Sequence, residues 1–125
     1  MARCDEGYLC AICGAEVEEI VDSDLYLRYV IGMVDAETLH TTPERHLRCN
    51  PALAQFIDDE RFADVDAGEF AKRDLDPEFV KERQVLVTRG WRRLREIAGA
   101  ESPLSLLDYP LPEFRHAARR DHAGD

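Results

Sequence analysis

Cys10-Ala11-Ile12-Cys13-Gly14 and, further along, His46-Leu47-Arg48-Cys49 decide how this chain is read. Together they supply four soft or borderline donors as C-x2-C and H-x2-C, the set that a tetrahedral zinc ion takes. A two-residue gap lets one tight turn aim both side chains at a common point, so each cluster contributes half of a tetrahedron. A shared ion would then staple two distant segments. The candidate ligands are Cys10, Cys13, His46 and Cys49, and the expected cofactor is Zn2+.

Working outward, Leu25 to Val34 is rich in β-branched and aromatic residues and predicts a strand. Asp35-Ala36-Glu37 offers a polar turn, and Thr38-Leu39-His40-Thr41 would return antiparallel, making a hairpin between the ligand clusters. Thr42-Pro43-Glu44-Arg45 reads as a cap and first helical turn carrying His46. Asn50 and Pro51 open a second helix through Ile57, with Cys49 just ahead of its N-terminus, where amide dipoles favour a thiolate. Asp22 and Asp24 are taken to bracket a turn.

A C-x2-C-Gly knuckle, an intervening hairpin and two further ligands around a helix start resemble a treble-clef zinc finger over residues 10–57. The resemblance implies Cys10 and Cys13 on the knuckle and His46 and Cys49 at the helix beginning. Pro51 departs from the pattern, because it interrupts a continuous helix begun at His46. Treble clefs serve many roles, so the likeness implies a metal site and no particular activity.

Asp76 and Pro77 form a strong helix start, and no further proline occurs before Gly99 ends the run, so 76–98 is the expected long helix. Val80, Gln84, Val87, Trp91, Leu94 and Ala98 recur in steps of four and three, with Phe79, Leu86 and Ile97 widening the face. Gly90 costs up to about 1 kcal/mol there relative to alanine unless close packing offsets it. The expected fold is α+β, one domain over 1–125, with the zinc unit packed on this helix; the helix also offers a homo-oligomer seam. Residues 58–68 read as an acidic connector anchored by Phe62, Val65 and Phe70. Residues 102–114 read as an extended segment over the core, and 115–125 as a flexible tail.

The 16 basic against 26 acidic residues give a net charge of −10, and the excess is concentrated: residues 1–76 carry 7 basic and 18 acidic groups. That opposes binding to phosphate backbones and anionic lipid, so nucleic acid and membrane are poor partners and a protein is the better one. Arg89, Arg92, Arg93 and Arg95 spread around their helix and are expected to form salt bridges, mainly with the acidic first part. The N-terminus has no apolar leader and no stretch approaches the length of a membrane span, which leads to a cytoplasmic expectation with reduced thiols.

A closed four-ligand set argues for a structural ion in a protein-interaction or scaffolding module. Phosphate loops, dinucleotide turns and nucleophile elbows are absent, which argues against an enzyme. The competing enzyme reading displaces one ligand and uses Asp35, Glu37 or Glu44 as base. A third reading is an iron–sulfur carrier on Cys4, Cys10, Cys13 and Cys49, or a nucleic-acid binder. His40, His116 and His122 are weaker ligand candidates, and Cys4 reads as a spare thiol.

Overall fold

The computed structural model describes residues 8–39, 41–62 and 65–114. Cys4, His40, His116, His122 and the expected tail at 115–125 lie outside these residues, and of Phe70 only the backbone is described. The described part is mainly helical, with α1 at Asp24–Val30, α2 at Pro51–Ala54 and α3 at Pro77–Ala98, linked by short 3-10 turns. The single strand pair among the described residues joins β1, Tyr8–Leu9, to β2, Glu16–Val17, in antiparallel register.

The hairpin expected over 25–41 is corrected: Leu25 to Val30 are helical, and Ala36–Thr38 forms a 3-10 turn. The Ser23 hydroxyl caps α1 by accepting from the Tyr26 N–H at 3.0 Å. A Schellman motif closes the helix, with Gly32 at φ +85°, Gly32 N–H to Tyr29 O and Met33 N–H to Arg28 O. Six of its seven residues are buried. A helix covered on nearly every side carries no amphipathic period, so its Leu, Tyr and Val content resembled a strand while tertiary burial determined the outcome.

The long helix begins and ends close to expectation. Asp76 caps α3 by accepting from Phe79 N–H at 3.0 Å, and Gly99 stands at its C-cap. Its buried face is Val87, Thr88, Gly90, Trp91 and Leu94; Phe79 and Ala98, expected on that face, are exposed. Gln84 is accommodated by the Lys72 ammonium, which donates to its Oε1 at 2.8 Å. Buried Thr88 donates to Phe56 O and accepts from Asp58 N–H, tying α3 to the chain beyond α2.

At Gly90, α3 packs tightly against α1 and its C-cap Ile31. A Cβ added there would lie 2.4 Å from Ile31 Cγ2 and 3.0 Å from Leu27 Cδ1. Alanine gains up to about 1 kcal/mol of helix propensity over glycine, whereas overpacking a filled core costs about 1–3 kcal/mol. Gly90→Ala is therefore expected to lose about 1 kcal/mol net, read as a lower urea midpoint at unchanged m-value; a raised midpoint would refute the close approach.

Residues 106–114 strap α1 and α3 together. Leu106–Asp108 is a 3-10 turn, so the expected extended path is interrupted there. The Tyr29 hydroxyl donates to Leu106 O, Leu111 N–H to Val30 O, and the Arg93 guanidinium to the carbonyls of Asp108 and Tyr109. Arg89 meets Glu113 in a two-pronged pair at 2.8 and 3.1 Å. Arg92, by contrast, reaches Asp59 in the acidic part, where it joins Arg61. The expectation that the helix arginines pair mainly with the first part thus holds for Arg92 and not for Arg89 or Arg93. Phe62 is buried and Val65 partly so, and both pack on the core as expected of the connector.

Candidate metal centre

The first pair is built by a turn. Gly14, at φ +82°, donates its N–H to Cys10 O at 2.9 Å, and Cys10 N–H donates to Ala15 O at 2.8 Å. A left-handed residue lets the chain double back beneath two cysteines, which is why glycine stands after the second. The backbone then points three amides at one sulfur: Ile12, Cys13 and His46 N–H lie 3.4, 3.5 and 3.5 Å from Cys10 Sγ.

The second pair is held differently from expectation. His46 is extended and bridges Ser23, so no helical turn carries it, and Leu47–Cys49 forms the 3-10 turn that brings Cys49 round. The helix after Asn50 spans four residues, Pro51–Ala54, in place of the run to Ile57. Asn50 does not cap it with its side chain; the amide is used elsewhere, as described below.

All four donor atoms, the sulfurs of Cys10, Cys13 and Cys49 and one nitrogen of His46, lie within 4.8 Å of one another. Tetrahedral bonds of about 2.3 Å to sulfur and about 2.0 Å to nitrogen require S···S edges of about 3.8 Å and S···N edges of about 3.5 Å. His46 Nδ1 is 3.4 Å from Cys13 Sγ and 3.9 Å from Cys49 Sγ. The donor set is therefore compatible with a single tetrahedral ion once its widest pair closes by about 1 Å. Imidazole Nε2 lies 2.8 Å from Glu16 O, a contact that, with Nε2 protonated, leaves Nδ1 as the lone-pair donor facing the sulfurs.

The groups of the cluster shift in different directions, Cys10 down and Cys49 and His46 up. Burial pushes the Cys10 thiol up, but the amides of Cys13, His46 and Ile12 outweigh it and bring it down to about 5. Burial and the neighbouring Cys10 and Cys13 sulfurs push Cys49 up to about 11. This runs against the expected dipole-assisted thiolate: a single-turn helix adds little field, and crowded sulfurs repel further negative charge. Burial lowers His46, yet its bonds to Glu16 O and to the sulfurs leave it raised overall. Cys10 is buried, Cys13 exposed, and His46 and Cys49 in between.

None of the three candidate bases is among the clustered donors. Asp35 and Glu37 are exposed near the 3-10 turn after α1. The Glu44 carboxylate is buried and accepts from the Ser23 hydroxyl and from the N–H groups of Leu25 and Arg45. Burial raises its pKa, while those same donors oppose the rise. Its carbonyl takes Ala11 N–H at 2.8 Å, joining the knuckle to the second segment.

Asp24 is the residue whose part sequence reasoning missed. It does not bracket a turn: its side chain is fully buried and meets Arg28, Arg45 and Asn50. Had 24–30 been read as a helix, the Asp24/Arg28 spacing of four would have signalled part of this cluster. No described helix is long and apolar enough to cross a membrane. Comparison with protein-family models, with curated proteins and with solved structures finds no match.

Proposed function

We propose that this chain is a small zinc protein whose ion is structural, held by Cys10, Cys13, His46 and Cys49, and that the stapled unit serves as a protein-interaction or scaffolding module. The observation that carries the metal assignment is four donor atoms from two distant segments within 4.8 Å. Three sulfurs and one imidazole form a Cys3His set, which suits zinc among the common divalent ions. A fourth vertex filled by His46 leaves no open position for substrate, which favours structure over catalysis. The likeness to a treble clef is carried by the knuckle and by the second pair standing just before a helix start, with α1 in place of the hairpin.

Support for an interaction role is the knuckle surface, where Leu9 and Ile12 are 65% and 61% exposed beside the acidic stretch around Glu16. An ion that orders this knuckle would also order the apolar surface it presents. A protein partner, and a reducing compartment such as the cytoplasm for free thiols, accord with this reading.

Elemental analysis of protein purified without added metal is expected to find one zinc per chain, and Cys13→Ser and Cys49→Ser are each expected to lose it. Sulfide or iron in stoichiometric amount would replace this reading with a cluster. Affinity capture with metal-loaded and chelator-stripped protein then tests the module: equal partner recovery from both would sink the interaction role.

A further inference from the structure

We infer that Asp24 is the positioning residue of the metal centre, gripping the two residues that bracket the His46–Cys49 pair and so setting that pair's geometry before an ion arrives. The inference rests on the cluster being a metal site. Arg45 immediately precedes His46, and Asn50 immediately follows Cys49. Asp24 Oδ2 accepts from Arg45 Nε and Nη2 at 3.1 and 2.9 Å, and from Arg28 Nε at 2.9 Å. Its other oxygen accepts from Asn50 Nδ2 at 2.8 Å. One rigid group thus holds both ends of the ligand segment.

The backbone repeats the attachment at one end. Asp24 N–H donates to Arg45 O at 2.8 Å, and Ser23 bridges His46. Because Asp24 opens α1, and α1 packs on α3, the second ligand pair is fastened to the pair of helices that forms the core of the described residues. A carboxylate with a fully buried side chain carries a desolvation cost, offset here by two guanidinium groups and an amide. A charge placed at that cost between the neighbours of two ligands orders them during folding, so less conformational freedom is lost when metal binds. Removing an outer partner of a metal site typically costs about 10–100-fold in affinity.

The test uses the full chain as wild type, Asp24→Asn, Asn50→Ala and the exchanged pair Asp24→Asn with Asn50→Asp. Zinc affinity is measured by chelator competition and coordination geometry by the visible spectrum of cobalt-substituted protein. Far-UV circular dichroism verifies that each metal-free variant keeps its helices. Asp24→Asn is expected to bind zinc about 10–100-fold more weakly with altered cobalt bands while staying helical, and the exchange to recover much of the loss by returning a carboxylate to Arg45. A folded Asp24→Asn with wild-type affinity and spectrum overturns the inference. If Asp24→Asn fails to fold, Asn50→Ala decides: it removes one arm and leaves the ion pairs, so weakened binding supports positioning and unchanged binding refutes it. Wild-type protein that takes up neither metal would instead overturn the metal reading underneath.

Discussion

Cys10→Ser is expected to abolish stoichiometric zinc binding and to do so with less disturbance of the knuckle than Cys10→Ala. The serine oxygen is smaller than sulfur but still accepts hydrogen bonds, so the three amides that converge on Cys10 from Ile12, Cys13 and His46 keep a partner. What disappears is the soft anion. Cys10 is the buried member of the cluster, and its thiol is already lowered to about 5, so it presents a thiolate at neutral pH without expense to the ion. Loss of a direct ligand should exceed the roughly 10–100-fold penalty that outer partners carry. Cys10→Ala leaves these partly buried amides without the sulfur acceptor, so it should also lower stability in the absence of metal, by at most about 1–3 kcal/mol. Chelator competition on both variants, paired with urea unfolding of their metal-free forms, separates the two effects. Retention of one tightly bound zinc by Cys10→Ser would remove Cys10 from the ligand set.

Both ligand pairs were legible because their chemistry is local: C-x2-C followed by glycine, and H-x2-C, need only a turn each. The long helix was legible for a similar reason, with Asp76-Pro77 at one end and Gly99 at the other. Gly90 even announced the close approach of another element. What stayed hidden depends on partners far apart in sequence. α1 is enclosed by α3, the 106–114 strap and the Glu44–Asn50 segment, and only that enclosure makes a helix of a strand-like composition. Asp24 looked like one acidic residue among many, since Arg45 and Asn50 reach it across more than 20 residues. Ser23 had the same problem: its value as a cap is visible only once a helix is assigned after it.

Trp91→Ala is expected to be the most damaging core substitution, costing about 3–5 kcal/mol. Trp91 is 3% exposed, and its indole N–H donates to Val21 O at 3.1 Å. Its ring meets Phe62 edge-on with centroids 5.4 Å apart, and the Arg95 guanidinium lies 5.4 Å from its centroid. One side chain therefore joins α3 to the acidic connector and to the 3-10 turn Ile20–Asp22, directly ahead of Ser23 and Asp24. Truncation leaves a cavity at that junction as well as an unpaired carbonyl at Val21. Domains of this size are stable by about 5–15 kcal/mol, so the loss would consume a large part of the total. Trp91→Phe keeps most of the ring and forfeits the hydrogen bond, and should cost about 1–2 kcal/mol. Because this is the sole tryptophan, circular dichroism must follow unfolding of both variants. Damage at Trp91 should also spread to the metal: loosening the turn before Asp24 frees the anchor of the His46–Cys49 segment, so zinc affinity should fall in Trp91→Ala under conditions where the variant is still folded. Near-equal stability of Trp91→Ala and Trp91→Phe would show that the indole does not join these elements.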